Sequence, residues 1–194
     1  MPKNYIVVAD VFADNRPGSE KEGKLYGKDG YATSKDQMFK KDLPLQISQM
    51  FVDHLSKAKI FKKIDLLDIS NDLDLKQEEM TSLKNKGYNL AIIGKINHFY
   101  GYQSDEAATA VAPLFGLVGV LTEAMINPKT VGAKVEYGDV KIIDLDNQKI
   151  VWSGNAGHDF EQQVKLYDGP VIYVLRALKE TNNKFSRQLA ENSF

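Results

Sequence analysis

The sequence lacks cysteine altogether and carries almost no net charge. Across its 194 residues, 25 Lys and Arg stand against 26 Asp and Glu, which gives a formal net charge of −1. Without cysteine there is no disulfide, no thiolate metal site and no cysteine nucleophile, and the redox compartment is left undecided. Balanced charge provides no overall field to hold a polyanion, so we expect no nucleic-acid partner.

The start of the chain lacks a basic region followed by a long apolar region. We therefore see no export signal in residues 1–9. A start this abrupt at a predicted strand is also what remains after a leader has been removed, so both alternatives stay open. The length is near the upper end of the usual range for one domain, and we expect a single domain over residues 1–194.

The common catalytic and metal-binding patterns are missing as well. His54, His98 and His158 lie far apart, and none belongs to a pair spaced for a shared metal ion. Residues 116–119 lack the third glycine and the downstream acid of a dinucleotide-binding loop, and no phosphate loop or serine elbow exists. His98 could act as a base, but base catalysis needs a positioned substrate, and we interpret it as structural. The sequence predicts a non-enzymatic protein without cofactor or metal.

Apolar periodicity predicts an α/β fold with a single mixed sheet and helices packed on it. The predicted order is βαβαβ, an insertion, then ββα. The elements are a strand at 5–14, a helix at 43–58, a strand at 60–69, a helix at 76–86, a strand at 88–100, a hairpin from 131 to 164, and a helix capped by Asp168. In the hairpin the apolar phase shifts at Gly138, which predicts a bulge, and we expect Trp152 to pack in the core or on the hairpin.

Two segments stand apart from this pattern. Residues 15–41 are rich in glycine and charge, which predicts a flexible loop. The insertion, residues 103–130, contains an uncharged apolar run at 107–122, shorter than the ~20 residues of a spanning helix. Its proline and glycines favour a flexible apolar loop or a short helical hairpin over a continuous helix.

The insertion has two possible roles, which the sequence leaves open. It either packs on its own domain or forms a contact surface for a membrane, a subunit or an apolar ligand, since large exposed apolar patches are unusual on soluble monomers. We predict that residues 107–125 form a contact surface. The predicted contact residues are Val111, Leu114, Phe115, Leu117, Val118, Val120 and Leu121.

Four stretches of the sequence carry a family resemblance. They are residues 6–10, 60–64, 88–96 and, above all, the hairpin 140–153 with its Asp-Asn-Gln turn followed by Trp-Ser. The chain resembles a group of bacterial envelope domains that includes the N-terminal domain of TolB, the curli-secretion CsgG family and related small outer-membrane lipoproteins. It lacks their lipobox cysteine, and its insertion lacks the alternation of membrane-crossing hairpins.

The resemblance implies an exported, non-enzymatic domain on the periplasmic side of the bacterial envelope, where outer-membrane anchoring would need a leader and a cysteine absent from this sequence. It would act as an accessory in assembly, secretion or transport. Its partners would be other envelope proteins, itself or a membrane surface. The first alternative is a small-molecule-binding protein or enzyme with a pocket under residues 15–41 and the insertion; another is a cytoplasmic adaptor.

Overall fold

The computed structural model of the chain describes residues 4–22, 39, 42–69, 74–104, 129–164 and 170–191. In order, the elements are β1 Ile6–Asp10, β2 Ala13–Asp14, α1 Gly18–Lys21, α2 Leu43–Lys57, β3 Lys63–Leu67, α3 Gln77–Asn85, β4 Leu90–Ser104, β5 Lys129–Asp144, β6 Lys149–Val164 and α4 Pro170–Glu191. The predicted α/β class, with one mixed sheet and helices packed against it, is confirmed.

The sheet combines a parallel part with an antiparallel part. Its strand order is β3-β1-β4-β5-β6, and β2 pairs with β4 alongside β1. β1 runs parallel to both β3 and β4, whereas β4, β5 and β6 are antiparallel neighbours. Parallel neighbours need crossover connections, and the chain supplies them through α2 and α3.

The parallel part is buried on both faces. Val7, Val8 and Ala9 are all fully buried in consecutive positions of β1. Val7 and Ala9 join the larger core, which includes side chains of α2 and α4, while Val8 joins a smaller core that includes Leu83 of α3. A continuous apolar run is what a strand with two covered faces requires.

Helix α2 begins and packs as its sequence predicts. The Asp42 side chain accepts a hydrogen bond from the backbone N–H of Leu45 at 3.2 Å, which satisfies one of the unpaired donors of the first turn. Ile47, Phe51 and Leu55 recur every four residues and are fully buried against the sheet.

The long hairpin of β5 and β6 contains the predicted bulge. Pairing skips from Tyr137 to Val140, and Asp139 takes a left-handed φ of 48°. A Cβ at Gly138 would lie 2.1 Å from the amide nitrogen of Asn97, so a larger residue at this position would displace the Asn97 side chain. The phase shift in the sequence therefore located the bulge correctly.

Several predicted boundaries differ from the structure. The strand predicted at 60–69 is confined to β3, because residues 61 and 62 form a bend. The strand predicted at 88–100 continues to Ser104, where it remains paired with β5. Within the predicted loop 15–41, the described residues form the short helix α1 and place Phe39 in the core, with its ring 5.1 Å from that of Phe99. Asp168, the predicted cap of α4, lies outside the described residues.

Candidate functional site

The seven predicted contact residues lie within 105–128, outside the described residues. The structure does describe the two strands that this segment connects. β4 and β5 pair up to their ends, with Gln103 opposite Val131 and Ser104 opposite Thr130. The predicted insertion 103–130 is therefore shorter by two residues at each end, which belong to β4 and β5, and the insertion proper, residues 105–128, connects an antiparallel pair.

A tyrosine braces the strands next to this connection. Tyr102 lies across Gly132, where a Cβ would come within 2.4 Å of the tyrosine ring. Its hydroxyl donates to the carboxylate of Glu161 on β6, so one side chain of β4 spans β5 and reaches the third strand. The sequence analysis missed this contact. A glycine within the alternating pattern of β5 was the available signal, since glycine in a strand often marks a close approach.

A second polar contact holds α1 against β4. Glu20 is buried, and its carboxylate lies 2.5 Å from Nδ1 of His98 and accepts from the backbone N–H of Phe99 at 3.2 Å. His98 thus has a carboxylate partner within the fold. The partner itself was not predicted, because Glu20 lies in the segment that reads as a loop.

An ion pair adjoins α1 at the end of β2. The Arg16 guanidinium donates to both carboxylate oxygens of Asp14 at 2.9 Å, and Lys21 donates to the Asp14 backbone carbonyl. Burial acts to raise the pKa of Asp14, but the hydrogen bonds and charge of Arg16 outweigh it and hold the pKa below its ordinary value of 3.8. Asp14 is therefore ionised at neutral pH.

No described group of three or more His, Asp or Glu side chains is placed to hold a metal ion. The described helices also include none that is both long and apolar enough to cross a bilayer. A groove of about 940 Å³ lies along the polar side of α3, between Lys76 and Lys86. None of its lining residues comes from the region of 15–41, where the alternative of a ligand-binding protein expects its pocket.

A second candidate surface is β6, the last strand in the sheet order. It is sixteen residues long, and its only described strand neighbour is β5. Near its start, Ile150 is 55% exposed and Val151 is 37% exposed. The ring of Trp152 instead packs against the main core and lies 5.2 Å from that of Phe185 on α4, which confirms the expectation that this tryptophan packs in the core or on the hairpin.

The chain was compared with known proteins once this geometry was established. No family model matches it, and no curated protein matches it significantly. Among solved structures it is similar to protein XCC0632 from Xanthomonas campestris, of the DUF330 family model, with 7% identity, 99% of this chain and 91% of that chain covered, and a TM-score of 0.51.

Two further solved structures are similar at lower scores. The PelC dodecamer from Paraburkholderia phytofirmans has 10% identity over 98% of this chain and 88% of that chain, with a TM-score of 0.43. Lipoprotein GNA1162 from Neisseria meningitidis has 9% identity over 98% of this chain and 100% of that chain, with a TM-score of 0.42. Of these three structures XCC0632 has a TM-score above 0.5, and at 7% identity that comparison shows a shared fold and nothing more.

Proposed function

We propose that this chain is a non-enzymatic accessory domain of the bacterial cell envelope, which contacts a membrane surface or another envelope protein through residues 107–125. It would serve assembly, secretion or transport from the periplasmic side. The resemblance to TolB, CsgG and small outer-membrane lipoproteins supports the compartment, and the fold shared with XCC0632 is compatible with it.

One observation carries the role of the insertion. The strands on either side of it pair directly through Ser104 and Thr130, so the sheet does not need the insertion for its closure. Burial of the seven large apolar side chains is worth roughly 10 to 20 kcal/mol before the costs of ordering and association. That free energy is sufficient to drive attachment to a membrane or a partner.

The test replaces residues 107–127 by a short Gly-Ser linker. Because the two strands end side by side, we expect a folded variant with a far-ultraviolet spectrum and melting temperature close to those of the unchanged chain. It should lose binding to liposomes in a flotation assay and cross-linking to envelope proteins in cells. An unfolded product would show that the insertion belongs to the core, and a folded product with unchanged binding would refute the contact role.

Point variants provide a matched comparison. Leu114, Phe115 and Leu117 are changed together to Ser in one variant, and the exposed apolar residues Leu45 and Ile172 are changed to Ser in the control. The first variant removes predicted contact residues and the control removes exposed apolar residues, and neither shortens the chain. Only the first variant should lose binding, since a general loss of surface hydrophobicity would affect both.

A further inference from the structure

The side of β6 away from β5 has no strand neighbour among the described residues, and it lies apart from the ends of the insertion. A strand at the edge of a sheet presents unpaired N–H and C=O groups, which form a template for another strand. Proteins usually blunt such an edge with a short strand, charged side chains, a proline, a bulge or a covering element. Of these, β6 has charged side chains and a shift in its pairing with β5 between Ile150 and Trp152. β6 has sixteen residues and no proline, and β5 is its only described strand neighbour.

The cover that the structure supplies is slight. Lys184 and Gln188 of α4 donate to the backbone carbonyls of Gly157 and Asn155, each at 3.3 Å and each in an exposed position. Both contacts are long for hydrogen bonds and involve flexible side chains, so an incoming strand can replace them. They also concern only the middle of the strand. Its beginning exposes Ile150 and Val151.

The two ends of β6 carry opposite charges. Lys149 begins the strand, whereas Asp159 and Glu161 lie near its other end, and all three residues are exposed. A second β6 in antiparallel orientation brings Lys149 of each copy toward the acidic end of the other. A parallel orientation would place lysine beside lysine and acid beside acid. Opposite charges across strands stabilise their pairing and like charges weaken it.

We propose that two copies of this chain associate through β6, antiparallel and related by a two-fold axis, so that the two sheets join into one continuous sheet. A two-fold contact uses the same surface of both subunits and therefore requires self-complementarity. β6 has it, because its basic, apolar beginning and its acidic end complement each other when the strand is reversed. Main-chain hydrogen bonds would supply affinity, and the charged ends would set the direction.

The experiment measures the mass of the full chain by sedimentation equilibrium. The expected result is a shift from 21.8 kDa to twice that mass as the concentration rises through about 10 to 100 μM, a range typical of a small interface. Ile150→Lys should weaken this association at least about tenfold, because a desolvated charge opposes pairing. Leu45→Lys, on the exposed side of α2, is the matched control and should leave it unchanged.

A charge exchange tests the orientation. Lys149→Glu should weaken the association about tenfold, since each strand then meets acid with acid. Adding Asp159→Lys to the same chain should restore it to within roughly threefold, because the ends are again complementary. Both residues are exposed, and circular dichroism verifies that each variant is folded.

Three results with the unchanged chain or the point variants would overturn the proposal, and a fourth comes from the Gly-Ser linker variant. They are a monomer at every concentration, equal weakening by Leu45→Lys and Ile150→Lys, or no recovery in the charge-exchanged double variant. The Gly-Ser linker variant of residues 107–127 should still dimerise, because β6 is intact in it. Loss of dimerisation in that folded variant would place the self-contact in the insertion and would also contradict the β6 interface.

Discussion

The two halves of β4 lie in different surroundings. Residues 90–92 pair with the parallel strand β1, and these three and Ile93 are buried, with alternate side chains entering the two cores on opposite faces of the sheet. Further on, Ile96 and Phe99 are buried while Asn97 and His98 are partly exposed. The same strand thus changes from an apolar run to a mixed pattern beyond the residues that share the smaller core with Leu83 of α3.

The two parts of the sheet therefore contribute differently to the stability of the fold and to its exposed surface. The half with two covered faces holds apolar side chains that water never reaches, so it supplies much of the hydrophobic free energy of folding. In the antiparallel part of the sheet, formed by β4, β5 and β6, one face packs on α4. The other face carries polar pairs such as Tyr102 with Glu161. Substitutions of buried residues where the sheet is covered on both faces should therefore cost far more than substitutions on the exposed face of the antiparallel part, whose face toward α4 is itself buried at residues such as Val135 and Tyr137.

The largest effect is expected where the sheet is covered on both faces. Ile93→Ala removes a side chain that is only 2% exposed, and we expect it to lower the free energy of unfolding by about 2 to 5 kcal/mol. Ile150→Ala is the matched control on β6, with an expected change within about 0.5 kcal/mol. Guanidinium denaturation measures both. Equal costs for the two changes would abolish the distinction between the halves.

An intermediate effect is expected at the brace beside the insertion. Gly132→Ala places a methyl group against the Tyr102 ring and should cost about 1 to 3 kcal/mol as the ring is displaced from Glu161. In a Tyr102→Ala background the same change should be neutral or slightly stabilising, because alanine restricts the unfolded chain more than glycine does. A double-mutant cycle of Gly132→Ala and Tyr102→Ala measures the coupling between the two residues from their free energies of unfolding. Additive costs would show that the position of Tyr102 does not depend on glycine at residue 132.

The smallest effect concerns α1 and depends on pH. The folded-state pKa of Asp14 lies below its ordinary value, so its ion pair stabilises the fold above about pH 4 and loses that contribution as the pH falls further. Asp14→Asn should therefore cost about 1 kcal/mol at pH 7.

Unfolding of both proteins at pH 7 and at pH 3 measures this pH dependence. The difference between wild type and Asp14→Asn should shrink at the lower pH, because Asp14 of the wild type is then becoming protonated. A difference that stays constant between the two pH values would exclude titration of Asp14 as its cause.

Most of the fold could be predicted because its signals are local. The four-residue recurrence of Ile47, Phe51 and Leu55 predicts α2 without knowledge of any partner, and the shifted apolar phase at Gly138 predicts the bulge. Such patterns depend on backbone geometry and on the contrast between apolar and polar side chains. Strand and helix ends were less well predicted, since they depend on pairing with distant residues.

The candidate sites, in contrast to the fold, could be predicted only in small part. The apolar character of residues 107–122 is visible in the sequence, and their contact role remains a prediction. The contacts of Tyr102 with Glu161 and of His98 with Glu20 join residues that are 59 and 78 positions apart. No periodic pattern relates such residues, because their proximity arises from strand order and register.

By itself, the sequence determined the element types, the bulge in the hairpin, the lack of cysteine chemistry and the position of the apolar insertion. The tertiary structure alone decided that β4 and β5 meet at the ends of the insertion, that β6 is left at the edge, and that Tyr137 donates to Asn182 in the buried contact with α4. The physical reason is that local conformation follows from neighbouring residues, whereas strand order and buried polar pairs are selected by the packing of the whole chain.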